Sequence, residues 1–256
     1  MRPALPPAFL HAPLAHRGYH ARHQGRPENS RAAFRAAVAA GYGIEMDVQV
    51  SRDGQAMVFH DDGLKRLTGV KGMVVERDAV DLGGIALLGG DEGIPTLAQV
   101  LGLVGGRVAL LIEIKDRHGT LVGTDGVLEA AVVRALDGYA GPVAVMSFNP
   151  GSVAEIARLA PHLSRGITSD PFDPGDWSPL AVATCHRLRG IPDYDAVGAS
   201  FISHKASDLG SARVAALRAQ GARILCWTIR SAGAEARARR VAHNVTFEGY
   251  AAAVPA

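Results

Sequence analysis

The feature that most constrains this chain is its alternation of short apolar runs with alanine-rich segments of helical period. The apolar runs fall at 13–18, 43–50, 55–60, 107–115, 142–148, 163–169, 197–203, 222–229 and 244–248. Between them, 29–40, 95–104, 124–138, 150–160, 176–189, 208–220 and 231–241 read as helices. Such alternation builds βα units and a parallel sheet. In the first helix, Asn29 or Ser30 supplies the cap, Phe34, Ala37 and Val38 share one face, and Gly41 provides the left-handed exit. At 256 residues the chain suits a closed α/β barrel, whose usual size is roughly 250 residues.

Nine strands is one too many for an eight-stranded barrel. Ser51-Arg52-Asp53-Gly54 carries a turn signal between two apolar runs, so 55–60 reads as an antiparallel return of a hairpin. Residues 61–95 then read as a small insertion within a single barrel domain spanning 1–256. The expected fold is a TIM-type (β/α)8 barrel with that insertion after the second strand.

The charge balance excludes several classes. Although Lys and Arg number 27, the net charge is +2 and the basic residues are scattered, so no nucleic-acid partner is indicated. No apolar stretch is long enough for a membrane span, and Met1 to Leu14 lacks the pattern of a signal peptide; the expectation is a cytoplasmic protein without stable membrane insertion. The two cysteines, Cys185 and Cys226, form no disulfide framework.

Several of the apolar runs end in chemistry. Glu45 and Asp47 stand two apart in a strand and share a face, where two carboxylates repel unless a cation lies between them. An edge strand facing solvent is the alternative. Glu113 and Lys115 repeat the spacing in a run too apolar to be exposed, and the C-terminal ends of barrel strands are where active sites form. Oxygen ligands from Glu45, Asp47 and Glu113 favour one Mg²⁺ or Ca²⁺, or Mn²⁺, over zinc. His16 and His60 each end a strand-like run beside this cluster and suit proton transfer in two directions. Arg17 has the shape to clamp a phosphate or to pair with a local carboxylate. Trp227 reads equally as core or as pocket wall, while Ser147-Phe148-Asn149 and Ser203-His204-Lys205 are weaker candidates.

These residues resemble a known family. His16-Arg17-Gly18, Pro27-Glu28-Asn29-Ser30, Phe34, Glu45-x-Asp47, Asp53-Gly54, His60-Asp61, Leu64-x-Arg66-x-Thr68-Gly69, Pro95-Thr96-Leu97, Glu113-x-Lys115 and Ser147-Phe148 look like the glycerophosphodiester phosphodiesterases. The resemblance covers nearly the whole chain and implies metal ligands at Glu45, Asp47 and Glu113 and an acid–base pair at His16 and His60. It further implies phosphate contacts from Arg17 and Lys115 and a pocket wall at Trp227. The implied substrate is a small glycerophosphodiester, split into glycerol 3-phosphate and an alcohol. The tail departs from the common Thr-Asp-x-Pro pattern, having Thr246-Phe247-Glu248-Gly249-Tyr250 instead. Glu248 at the barrel mouth is expected to accept hydrogen bonds from substrate hydroxyls and to tolerate a cationic head group; the alternative is a helix cap or a pair with an arginine. The rival functions are a lysophospholipase D or phosphatidylinositol-type phospholipase, drawing on apolar residues of 61–95 such as Leu64, Met73 and Val74, and a barrel that only binds a phosphorylated ligand.

Overall fold

The computed structural model describes residues 2–255. Its strands are β1 (Leu14–Ala15), β2 (Gly43–Val50), β3 (Ala56–Val58), β4 (Leu110–Ile114), β5 (Val143–Ser147), β6 (Ser164–Ser169), β7 (Phe201–Lys205), β8 (Arg223–Ile229) and β9 (Asn244–Phe247). They run in the order β1-β9-β8-β7-β6-β5-β4-β2-β3, and β1 also pairs with β2, which closes eight parallel strands into a barrel. The chain thus adopts the TIM-type (β/α)8 architecture. β3 lies outside the closed ring and pairs antiparallel with β2, as the Ser51–Gly54 turn requires.

The pleat of β2 sorts its side chains. Ile44, Met46, Val48 and Val50 join the outer core with residues of α1 (Arg31–Ala39) and α4 (Leu97–Val104), including Phe34, Ala37, Leu97 and Val100. Glu45, Asp47 and Gln49 therefore point to the lumen. Inside the barrel Leu14, Leu111, Ala144, Phe201 and Leu225 pack with Leu5 and Phe9 of the N-terminal segment. Asn244 donates to the carbonyls of Phe9 and Ala12, both at 2.7 Å, which seats that segment under the N-terminal end of the strands. The lumen is apolar below and charged above.

Helices α5 (Val127–Leu136), α6 (Pro150–Leu159), α7 (Val182–Arg189), α8 (Ala212–Ala219) and α9 (Ala232–Ala238) complete the outer layer with α1 and α4. Residues 61–95 hold two short helices, α2 (Lys65–Thr68) and α3 (Ala79–Gly83), and pack Leu64, Val74, Leu82, Leu87 and Ile94 against Met57 and Phe59. Burial of Leu64 and Val74 there removes them from any lipid-facing surface, whereas Met73 and Val75 lie outward. Among the described residues no helix is long and apolar enough to cross a membrane.

Several boundaries differ from the sequence reading, and three of the differences have a clear local cause. β1 stops after Ala15 because Arg17 and Gly18 adopt φ of 54° and 80°, a left-handed turn that no strand continues through. β7 begins at Phe201 rather than 197, since Gly198 turns at φ 60°. α7 starts at Val182 rather than 176, because Pro179 cannot donate within a helix.

Candidate active site

The C-terminal ends of the strands carry the chemistry. Asp47 of β2 stands in register with Glu113 of β4, and Glu45 one step below completes a buried trio. Carboxylate oxygens of the three lie within 4.8 Å of one another. Lys115 Nζ sits 2.7 Å from Asp47 and 2.5 Å from Glu113. The pKa of Glu45 is pushed well above the usual carboxylate range by burial and then by repulsion from Asp47 and Glu113. Burial acts on Asp47 in the same direction, but Lys115, His60 and Arg17 outweigh it and hold its pKa low. Lys115 is shared between Asp47 and Glu113 and the guanidinium of Arg17 is also bound by Glu28, so these two cations do not neutralise the trio when all three are ionised. An all-oxygen, buried, anionic donor set of this kind fits a hard divalent ion.

Both candidate histidines flank this trio, and each has its Nδ1 bound to a carboxylate. His16 Nδ1 lies 2.5 Å from Glu248 Oε2, and His60 Nδ1 lies 2.7 Å from Asp61 Oδ1. His16 Nε2 is 3.9 Å from Glu45. In the neutral tautomer that donates from Nδ1, Nε2 keeps its lone pair. The pKa of His60 falls below the ordinary histidine value because the ring is buried and Lys115 and Arg17 repel its charge, against the pull of Asp47 and Asp61.

The turn that ends β1 positions Arg17. Its backbone N–H donates to Glu45 at 3.1 Å, and its guanidinium donates to Glu28 at 2.7 Å. Its Nε lies 3.4 Å from Asp47 but makes no hydrogen bond, and it is buried. Trp227, Phe148, Met146 and Thr246 wall a cavity of about 70 Å³ that also contains His16, Arg17, His60, Lys115 and the acidic trio. Trp227 donates to the Ser203 carbonyl at 3.0 Å. Of the residues assigned a role in catalysis, metal binding or substrate contact, all but Glu248 line this cavity.

Glu248 has other partners. Besides His16, its second oxygen accepts from Arg230 Nε at 2.8 Å, and His20 Nε2 is 3.6 Å away. Its pKa is held low by the hydrogen bond from His16 and the nearby ring of His20, against burial. The pairing with an arginine that the sequence left open is therefore present, and His16 occupies the face expected to meet substrate hydroxyls.

Sequence reasoning passed over the residues that hold the site in place. Asn29, fully buried at φ 56°, donates to Asp47 at 3.0 Å. Arg66 bridges Glu28 and Asp61 with hydrogen bonds of 2.6–3.0 Å, tying the segment after β3 to the partners of Arg17 and His60. All four residues stood in the motif string, but nothing in their spacing announced contacts among them. Of the weaker candidates, Ser147 donates to the Ile114 carbonyl at 2.7 Å, Asn149 caps α6, and His204 is buried between Ser169 and Asp208. Only Phe148 of that set reaches the cavity.

Comparison with known proteins adds an independent line. The model of the glycerophosphoryl diester phosphodiesterase family matches residues 16–246. A glycerophosphodiester phosphodiesterase of Caldanaerobacter subterraneus is 34% identical over 165 residues, covering 60% of this chain and 65% of the relative. One from Bacillus altitudinis is 34% identical over 163 residues, covering 60% of this chain and 64% of the relative. The alignments thus span slightly under two thirds of these curated relatives. Among solved structures, an Oleispira antarctica phosphodiesterase in complex with its product sn-glycerol-3-phosphate superposes with a TM-score of 0.76 at 24% identity, covering 94% of both chains. A Thermotoga maritima glycerophosphodiester phosphodiesterase gives 0.71 at 22% identity, covering 93% of this chain and 94% of that one. At those identities the structures speak for the fold, whereas the family model, matched across nearly the whole barrel and every candidate position from His16 to Trp227, speaks for descent. This chain belongs to the glycerophosphoryl diester phosphodiesterase family.

Proposed function

We propose that this chain is a divalent-metal-dependent phosphodiesterase that hydrolyses small glycerophosphodiesters to glycerol 3-phosphate and an alcohol. The observation that carries the reading is the pair of histidines with Nδ1 bound to Glu248 and Asp61, both on one cavity with three buried carboxylates and two cations. Ligand binding alone does not require two oriented proton carriers. The product named for the Oleispira complex supports the same substrate class.

Glu45, Asp47 and Glu113 are the residues that would hold Mg²⁺, Ca²⁺ or Mn²⁺. When bound, such an ion supplies Lewis-acid polarisation of phosphate oxygens. The buried, unbonded Nε of Arg17 is a donor suited to a phosphate oxygen, and Lys115 adds a point charge beside it. One histidine accepts the proton of the attacking hydroxyl or water, and the other protonates the departing alkoxide. The two carboxylates on the Nδ1 atoms stabilise whichever imidazole is cationic at each stage.

The test is product analysis with glycerophosphocholine, glycerophosphoethanolamine, glycerophosphoinositol and a lysophospholipid, with and without chelator. Glycerol 3-phosphate should form, disappear in excess EDTA, and return with added Mg²⁺, Ca²⁺ or Mn²⁺. Asp47→Asn should abolish turnover. Full activity in excess EDTA would remove the metal from the mechanism, and lysophosphatidic acid as the main product would favour the lysophospholipase D reading.

A further inference from the structure

A phosphodiester has two arms, and two chambers meet at the phosphate-binding groups. The smaller, of about 70 Å³, is bounded by His16, Trp227 and Thr246. The second is an open cleft of about 320 Å³ that shares His60, Glu113, Lys115 and Phe148 with the first. Phe148 stands at their junction, T-shaped to Trp227 with centroids 5.6 Å apart and tilted against Trp177 at 5.1 Å. Glycerol is the arm that every glycerophosphodiester shares, and it is small. The larger, open cleft suits the arm that varies.

The cleft has a definite chemistry. Its apolar wall is Phe148 and Trp177, and the indole of Trp177 is fixed by Nε1–H donation to both oxygens of Asp170, at 3.0 and 3.1 Å. Four acidic residues line it, and they differ in compensation. Asp61 is paired with Arg66, and Glu113 with Lys115. Asp62 instead accepts from the neutral Gln49 amide at 3.0 Å, and Asp116 from the Leu121 N–H at 2.8 Å and Asn149 at 3.1 Å. Two uncompensated carboxylates in a cleft with aromatic walls attract a cation, and a quaternary ammonium, which has no N–H to donate, gains most from an aromatic face.

We infer that this cleft is the subsite of the alcohol arm and that it selects a cationic alcohol of the choline type. The inference rests on the phosphodiesterase reading above, but not on Glu248, which is occupied by His16 and Arg230.

The experiment compares kcat/KM for glycerophosphocholine with that for glycerophosphoglycerol, whose alcohol is uncharged, in the wild type, Asp62→Lys and Trp177→Leu. The wild type should favour the choline diester, and each variant should lower that ratio by about fivefold or more, the scale of a lost cation–π or charge contact. Asp62 is exposed, so Asp62→Lys keeps the test alive if Trp177→Leu misfolds. Tetramethylammonium chloride, titrated against a sodium chloride control, should change the tryptophan fluorescence saturably in the wild type and not in Asp62→Lys. A wild-type ratio near one, a ratio unmoved by Asp62→Lys, or no saturable tetramethylammonium response overturns the cationic subsite. Failure of the wild type to cleave any glycerophosphodiester overturns the phosphodiesterase reading instead, and the tetramethylammonium titration still judges the cleft.

Discussion

Glu248 holds the Nδ1 of His16 at 2.5 Å across 232 positions of sequence, and Arg230 anchors the other oxygen of the same carboxylate. The arrangement fixes the orientation of the imidazole ring and leaves Nδ1 as the donor to the carboxylate. Glu248→Gln removes the charge, and its amide can donate to Nδ1 and so favour the wrong tautomer. We expect kcat to fall by at least about tenfold with little change in KM, since the loss is in proton transfer rather than ground-state binding. Unchanged kcat and KM on glycerophosphocholine would make the contact purely structural.

His16→Ala and His60→Ala should each lower kcat by at least about a hundredfold, the lower end for loss of a general acid or base. Circular dichroism should show a retained fold, and the wild-type kcat/KM profile should be bell-shaped in pH. Wild-type turnover in either variant would take that histidine out of the reaction.

Arg66 joins Glu28 and Asp61, and burial of these two carboxylates is outweighed by its hydrogen bonds and charge together with those of Arg17 on Glu28 and His60 on Asp61. Asp61 is thereby lowered to about 2, and Glu28 is lowered as well. Because the folded values lie below the unfolded ones, the stabilisation is complete above the unfolded carboxylate range, about pH 4, and is lost as pH falls toward the folded values. Arg66→Gln should therefore shift the acid-unfolding midpoint to higher pH, measured by far-UV circular dichroism. The wild type and variant should differ little in their response to alkaline pH. Superimposable acid transitions would show that the network adds nothing to stability.

Gly166 on β6 stands opposite Phe201 on β7, and a methyl group there would lie 2.3 Å from the Phe201 ring. That ring fills the lower lumen with Leu14, Leu111 and Leu225, and has little room to retreat. Gly166→Ala should cost about 1–3 kcal/mol in chemical denaturation, as overpacking does. A variant of wild-type stability would mean that the lumen repacks freely.

The barrel was legible because its signals are local. Alternating apolar runs and helical periods mark βα units, the Asp53-Gly54 turn marks the hairpin, and the two-residue period of β2 puts Glu45 and Asp47 on one face without any knowledge of neighbours. The motif string from His16 to Ser147-Phe148 likewise carried the family resemblance by itself. What the sequence left open was every relation that depends on closure of the ring. β1 and β9 become neighbours only when the barrel shuts, and that closure brings Glu248 to His16. The left-handed turn at Arg17, the seat of Asn29 on Asp47 and the bridge from Arg66 to two distant carboxylates are likewise set by packing between segments far apart in sequence. Spacing encodes which face of its own strand a residue occupies; which partner it meets there is decided by the register and curvature of the closed sheet.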